Sequence, residues 1–530
     1  MVIPLIIYFV IIQIIHFLSS WKLYKLAGIP WWYAMIPVYN AIVLMNIIKR
    51  PPWWTILLFL PVINLIMFPV IWVETIRSFG KVGTFDTWLV ILSLGFYITY
   101  LNYNPASLEY RPDRSLKPRT GTGEWMSSIL FAVIAATIVH TYIIQPFVIP
   151  TSSMEKSMLV GDFLFVSKVH YGARTPITAL ALPMVHDTIP LLKTKSYVFS
   201  DDATKHQSSW LNSFQLPYFR WPGFQQIERN DIVVFNQPAD TLRDMNNFHP
   251  DRSYLKPIDK KTNLVKRCVG LPGDTLSLHD GYVYINGTKT DSELENQLQF
   301  SYIVQTNGST LSKGYMYDRF GVTDDFGAIQ PGFYYFKSLT RETVKKMRKN
   351  PNIVEIKRIV ADGSSASEPV YPYPAVSNNT VDEYAPIYIP KKGQRIGINL
   401  QTLLLYKRVI TTYEGNTLKV NDNAIYINGK KTDTYTFKQD YYWMMGDNRH
   451  NSIDSRFWGF VPFDHVVGKP VLTWLSWDKE GKKIRWKRLF TTVNKKGKQR
   501  SYAWVLGILL LGYFAYYGYR KWSLKRTSKY

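Results

Sequence analysis

Residues 150–168 read PTSSMEKSMLVGDFLFVSK, and this stretch decides the fold. It follows directly on an apolar run, residues 125–145, long enough to cross a bilayer. It opens with Thr151, Ser152, Ser153 and Met154, then passes into FLFVSKVHY (163–171), whose apolar and polar residues alternate as on a half-buried strand. Membrane helix gives way to β structure here, and serines sit at the junction. A serine at the root of a folded domain, just outside a bilayer, suggests a nucleophile aimed at something held in that bilayer.

Downstream, strand-like runs continue to about residue 480: DIVVF (231–235), YVYING (282–287), FYYFKSL (333–339), IYIP (387–390) and AIYING (424–429). Pro-Gly at 272–273 and Asn-Gly at 286–287 and 428–429 separate them. Helical periodicity is scarce apart from residues 340–349, so this part is mostly antiparallel β. GDTLSLHDGYVYINGTKTD (273–291) is echoed by GNTLKVNDNAIYINGKKTD (415–433), a duplicated hairpin unit. Between the copies, DGSSASEPVYPYPAVSNNT (362–380) is Pro- and Ser-rich and reads as a surface loop.

Upstream, residues 2–19 are apolar and lack both a basic leader and a small-residue cleavage site, so they read as a retained anchor. Residues 31–48 carry Pro37 and Asn40 and either span or lie re-entrant; 53–75 is a better span and 87–102 a shorter one. The loop 103–123, with Arg111, Arg114, Lys117 and Arg119, is the clearest cytoplasmic segment by the positive-inside rule. His140, in the following span, reads as a helix-contact residue. Residues 503–519 form a last apolar run.

The division expected is therefore a multi-span region (1–103), a cytoplasmic basic loop (104–123), an anchor helix (124–146), an extracytoplasmic β catalytic domain (147–500) with a large insertion (about 292–414), and a C-terminal helix with a basic tail (501–530). Composition agrees: 46% of the 530 residues are hydrophobic and 15% aromatic, gathered towards the two ends. The net charge of +24 lies largely beside the apolar runs, where it sets topology or meets anionic lipid; no nucleic-acid-binding signature accompanies it. The single cysteine, Cys268, excludes an intramolecular disulfide and a thiolate cluster; nine scattered His residues and no HExxH pair predict no catalytic metal and no cofactor. The aromatics Trp210, Phe214, Tyr218, Phe219, Trp221 and Phe224 read either as packing or as a patch resting on the bilayer, the latter favoured by Arg220 beside them.

Four islands carry the chemistry: Thr151–Met154, Asn230–Phe235, Val265–Asp274 and Gly446–Arg456. Serine needs a base to take its proton. No His pairs with Ser153, and there is no GxSxG elbow. A lysine serves if burial holds its amine neutral, and Lys266 lies among Leu264, Val265, Cys268, Val269 and Leu271. On a strand Lys266 and Arg267 face opposite ways, so one turns inward while the other meets solvent. On the Lys-Arg dipeptide alone, a surface lysine is the plainer reading; the order of the islands changes the balance.

That order resembles bacterial signal peptidase I, the membrane-bound Ser–Lys leader peptidase. KRCVGLPGD (266–274) and GDNRHNSIDSRFWGFVP (446–462) carry the resemblance most strongly. It implies a signal peptidase I-like antiparallel β fold anchored by transmembrane helices. It implies Ser153 as nucleophile, Lys266 as general base, and the Ser153 N–H and Thr151 hydroxyl as oxyanion hole. Ser452 is expected to hydrogen-bond the Lys266 amine, Asp454 and Arg456 to pair on one strand face, and Gly446 and Asp447 to shape the turn behind them. Met154, Leu264 and Val265 are expected along a substrate groove, with peptide pairing near 149–154 and 263–266. The implied partners are exported preproteins with A-x-A cleavage sites, the lipid bilayer and the export machinery, at the bacterial cytoplasmic membrane. Three departures stand out: Glu155-Lys156-Ser157-Met158 lacks the family's proline, Asn230 replaces a glycine, and His450 stands where Asp is common and reads as a turn residue. The alternatives are another Ser–Lys peptidase, such as a self-cleaving regulator, and a catalytically silent membrane scaffold; the intact islands speak against both.

Overall fold

The computed structural model describes residues 2–117, 120–200, 209–238, 242–244, 247–248, 256–290, 294–361, 370–372, 379–495 and 500–527. The chain divides into two units: Met1–Ile143 with Ala173–Trp221 and Asp240–Thr262, and Ile144–Gly172 with Pro222–Ala239 and Asn263–Tyr530.

In the first unit, among the described residues, two helices are long and apolar enough to cross a membrane, Leu5–Leu26 and Gly121–Ile143. Ile6, Ile7, Ile11, Ile14 and Phe131 on them are exposed, as side chains meeting lipid must be. The expected span 53–75 is instead two helices, Trp54–Phe59 and Asn64–Ser78. Pro61 forces Leu60 into an extended conformation, and Val62 follows with a left-handed φ of 70°, so the helical hydrogen bonds cannot continue. The stretch 87–102 is also broken: Thr84–Leu92 and Phe96–Tyr103 bend by 117° across Leu94 and Gly95, both at positive φ. Residues 31–48 form the short turn Trp31–Met35 and the helix Tyr39–Ile47, whose nine residues are too few to span alone. Ala503–Thr527, in the second unit, is helical over 25 residues, but Tyr and Gly dilute its apolar run and it is not among the two apolar enough to span.

Leu23, Tyr24, Met45, Ile63, Met67 and Phe79 are among the side chains that build the core of the short helices. Arg50 and, from the basic loop, Arg114 converge on the buried Glu74 carboxylate; Arg50 lies 3.1 Å from it. Among the aromatics, Phe214 stacks on Tyr8 with ring centroids 5.1 Å apart. Trp210, Tyr218, Phe219, Trp221 and Phe224 are exposed.

The second unit is built on a nine-stranded sheet. Its main path runs Ile144–Val148, Asp162–Ser167, Val466–Asp478, Ile232–Asn236, Asn263–Gly270, Tyr441–Met445, Val461–Pro462, all neighbours antiparallel. Val233, Val234, Phe235, Cys268 and Met444 are buried, so the central strands read as near-continuous apolar runs. Register shifts at Phe163/Leu164 and Phe165/Val166 bend the sheet. The mostly-β domain expected from sequence is thus present.

Both hairpin copies form, and each is a three-strand meander. Thr275–His279 pairs with Tyr282–Ile285, which pairs with Thr288–Lys289; Leu418–Asn421, Ala424–Ile427 and Lys430–Lys431 repeat the pattern. The Asn-Gly dipeptides make the second turn of each copy, with Asn286 and Asn428 accepting from the N–H of Thr275 and Thr417 at 3.0 Å.

The insertion has its own four-stranded sheet, ordered Phe326–Gln330, Phe333–Thr340, Gln299–Thr306, Ile353–Arg358, over a core that includes Phe300, Val304, Met316, Phe336 and Met347. The helix expected near 340–349 is Arg341–Met347, capped by Thr340. Lys313–Phe320 and Leu400–Arg408 are further helices that periodicity did not disclose, short enough that their caps, Ser312 and Asn399, are the stronger signal. The Pro- and Ser-rich stretch 362–380 lies mostly outside the described residues.

Candidate active site

The chain leaves the strand Ile144–Val148 and returns on Asp162–Ser167, its neighbour in the sheet. The excursion between them is closed at its root by Ile149 N–H to Asp162 O and Gly161 N–H to Ile149 O, both 2.9 Å. Met154 and Met158 anchor it from below, packed with Ile149, Leu164 and Ile232. Met154, expected along a groove, is thus turned into this apolar cluster and only 2% exposed. The residues expected to pair as strand at 149–154 are turn and loop instead, because consecutive bonds (Glu155 N–H to Ser152 O, Met158 N–H to Met154 O) wind the chain tightly. Ser153 is left half-buried at the rim.

Lys266 reaches the same point from the central strand Asn263–Gly270. Its Nζ donates to Ser153 Oγ at 2.6 Å, across 113 residues of sequence. The side chain is 5% exposed, and burial pushes its amine down to about 8, against the pull of the nearby Asp454 carboxylate. Lys266 and Arg267 do diverge, but Arg267 does not meet solvent: it is 0% exposed. Its guanidinium grips Asp447 at 2.6 Å through both Nε and Nη2 and donates to the carbonyls of Asn230 and Lys495. Asp447 also accepts from Ser157 Oγ at 2.5 Å. Burial alone would raise the Asp447 carboxyl, yet Arg267 and Ser157 hold it below the usual carboxylate range.

The fourth island closes over the pair. A Cβ on Gly446 would lie 2.3 Å from Ser452 Oγ and 2.5 Å from the Ser153 carbonyl oxygen, so this close approach requires glycine. Asn448 N–H donates to Ser153 O at 3.1 Å, and Asn451 Nδ2 donates to Ser152 Oγ at 2.8 Å. Asp454 and Arg456 pair at 2.9 Å, both fully buried, but not on a strand: Asp454 caps the short helix Ser455–Trp458 and also accepts from Gly446 N–H. The hydrogen bond expected between Ser452 and Lys266 is absent; Ser452 Oγ is buried without a partner among the described residues. The Thr151 side chain is exposed. Leu264 and Val265 are half-buried.

The departures have physical accounts. Asn230 sits at φ 69°, the left-handed region that glycine enters freely and asparagine tolerates. His450 is no partner of the serine: its Nδ1 accepts from Ser301 N–H and its Nε2 donates to Asp382 at 2.9 Å. In the stretch without proline, Glu155 is 2% exposed, its carboxyl pushed up by burial, and accepts from Thr323 Oγ1 at 2.8 Å. Lys156, pushed down by burial, takes φ 69° and donates to Gly321 O at 2.7 Å.

Arg267, Ser157, Asn448 and Asn451, none of them among the expected site residues, hold the loop in place. The first is half of the Lys-Arg dipeptide and the last two lie inside the GDNRHNS box, so their signal was present; Ser157 had none.

The family described as signal peptidase, peptidase S26, matches residues 122–345 and 432–477. A family of unknown function (DUF5684) matches residues 32–110. The chain is similar to signal peptidase I of Buchnera aphidicola subsp. Acyrthosiphon pisum, 24% identical over 357 residues, covering 67% of this chain and 75% of that one. It is also similar to signal peptidase I of Rickettsia massiliae, 26% identical over 260 residues (46% and 78% covered), and of Helicobacter pylori, 23% identical over 381 residues (69% and 91% covered).

Proposed function

The chain belongs to the signal peptidase S26 family and is a serine endopeptidase, and from that premise we propose that Ser153 and Lys266 are its nucleophile and general base. The observation that carries the reading is the 2.6 Å contact between Lys266 Nζ and Ser153 Oγ, made by an amine that burial pushes down to about 8. Neutral Lys266 takes the hydroxyl proton as Ser153 Oγ attacks the scissile carbonyl. The Thr151 hydroxyl and the Ser153 N–H receive the oxyanion. The acyl-enzyme that follows is released by water, with Lys266 handling the proton again.

The substrate proposed is the signal segment of an exported preprotein, with small residues at the first and third positions before the cut. The strand Asn263–Gly270 offers a way to hold it. On this strand Tyr441–Met445 pairs only with Arg267, Cys268 and Gly270, so the Leu264–Val265 part has no strand on that side among the described residues. An extended peptide adding there would bring its backbone past Lys266. With Gly121–Ile143 across the bacterial cytoplasmic membrane, the basic loop lies in the cytoplasm and the β unit, with Ser153, on the far side beside the export machinery.

The test is cleavage of a preprotein with an A-x-A site by the full chain in detergent. Ser153→Ala and Lys266→Ala are each expected to lose activity by on the order of 10⁴-fold or more. Wild-type rates in either variant would overturn the dyad.

A further inference from the structure

The loop that carries Ser153 is wound by its own backbone turns, and further contacts reach it from the insertion. Asp324 accepts from Asn448 Nδ2 at 2.6 Å and from Asn451 Nδ2 at 3.3 Å. Those two amides in turn donate to Ser152, Asn448 to its carbonyl at 3.1 Å and Asn451 to its hydroxyl at 2.8 Å. Ser338, on the insertion strand Phe333–Thr340, donates to Asn448 Oδ1 at 2.8 Å. The neighbours of Asp324 touch the same loop directly, Thr323 at Glu155 and the Gly321 carbonyl at Lys156.

From these contacts we propose that the insertion is part of the catalytic apparatus, with Asp324 a positioning residue that holds Ser153 through Asn448 and Asn451. Asn448 is 0% exposed and every polar atom of its amide is engaged. Only one orientation of that amide suits its surroundings: the oxygen must face the Ser338 hydroxyl, and the nitrogen must face two acceptors. The Asp324 carboxylate is the stronger of those acceptors and fixes the orientation. The backbone N–H of Asn448 also holds the Ser153 carbonyl, so its amide and main chain clamp the two serines on consecutive peptide units. Residues 321–323 complete the support where the loop lacks the proline. Lys156, a non-glycine residue at φ 69°, is a conformation that persists only when its surroundings hold it, and the Gly321 carbonyl does so. Sub-ångström drift of the Ser153 hydroxyl away from Lys266 lowers the fraction of attack-ready complexes while leaving the peptide-pairing edge intact.

This rests on the Ser153–Lys266 reading, and the experiment separates the two. Preprotein cleavage is measured for the full chain in detergent as wild type, Asp324→Ala, Asp324→Asn, Ser338→Ala and Ser153→Ala, with Lys419→Ala, an exposed site on the second hairpin copy, as comparator. Asp324→Ala is expected to lower kcat by on the order of 10- to 100-fold with KM within about twofold. Asp324→Asn, whose amide oxygen still accepts from Asn448, is expected to recover most of that loss. The acid limb of the pH–rate profile stays where the wild type has it, because Lys266 remains buried. A kcat within about twofold of wild type in Asp324→Ala overturns the proposal, as do equal losses in Ala and Asn variants that merely follow the melting temperature. Should Asp324→Ala not fold, Ser338→Ala decides: a lowered kcat at unchanged KM supports the proposal and an unchanged kcat overturns it. An active Ser153→Ala sinks the dyad itself, whereas an inactive Ser153→Ala beside a fully active Asp324→Ala sinks only the role of the insertion.

Discussion

At the scale of single residues, the site turns on lowering one lysine's pKa while surrounding it with charge. Lys266 stands near Asp454, Arg456 and Asp447, yet burial outweighs them and its amine titrates at about 8. Its base form is a minority at neutral pH and grows as pH rises, so kcat/KM should climb through an apparent pKa near 8 and flatten above it. A profile already flat between pH 5 and 7 would contradict a lysine base. The neighbouring carboxylate sets where that limb falls. Asp454 favours the ammonium, so Asp454→Asn removes a raising influence and leaves Arg456, a lowering one. The limb should then move to lower pH by about one unit. Stability should drop by on the order of 3–5 kcal/mol, because Arg456 stays buried without its partner. A limb that stays put in folded Asp454→Asn would mean that the lysine does not sense this carboxylate. Ser153, Lys266 and Asp454 were all legible in the sequence, because motif order isolates them. The burial of Arg267 was not: strand alternation says that two adjacent side chains part, not that both faces are covered.

At the scale of elements, the two hairpin copies show what duplication preserves and what packing then overwrites. Gly281 and Asn423 occupy the same place in the first turn of each copy, at φ 71° and 59°. Either residue type suits that backbone. In the second copy the turn is exposed and asparagine serves. In the first, a Cβ on Gly281 would stand 2.5 Å from Asp382 Oδ1 and 2.8 Å from Phe300, both packed against it, while the Gly281 carbonyl receives Arg449 Nη1 at 2.8 Å. Gly281→Asn is therefore expected to destabilise by on the order of 1–3 kcal/mol although the sister copy carries that residue, with a lowered melting temperature as the readout. Asn423→Gly should change stability by only a few tenths of a kcal/mol. Equal tolerance at both positions would show that the turn of the first copy is not pressed by the insertion. The strands themselves were readable, from alternation and Asn-Gly turns. The breaks at 53–75 and 87–102 were legible only through Pro61 and Gly95, since apolar length records the capacity to span and not the local backbone reversals at Val62 and Leu94. The contacts of the insertion were hidden: nothing marks Asp324 among its polar neighbours until the fold brings it to Asn448.

At the scale of the whole molecule, sidedness is the property on which the proposed activity depends, and the chain supplies its own means of testing it. Cys268 is the only cysteine, 0% exposed, in a central strand, and burial pushes its thiol well above the ordinary range. Thiolate is the form that reacts, so the native protein should resist maleimide without any cysteine being removed. A single introduced cysteine then reports its own compartment. Lys117 lies in the basic loop before the apolar helix Gly121–Ile143, and Lys313 lies in the insertion of the β unit; both are exposed. With that helix across the membrane, the two sites lie on opposite faces. In intact bacterial cells opened only at the outer envelope, a membrane-impermeant maleimide is expected to label Lys313→Cys and to spare Lys117→Cys until detergent is added. Positive charge alone argues for this sense, but less strongly than the count of basic residues suggests, because Arg114 is spent in part on Glu74 within the fold. The reverse pattern would place Ser153 in the cytoplasm, where an exported signal segment has not yet presented its cleavage site. Labelling of both sites before detergent would mean that Gly121–Ile143 does not cross, and that the serine reaches its substrate from a surface-bound domain.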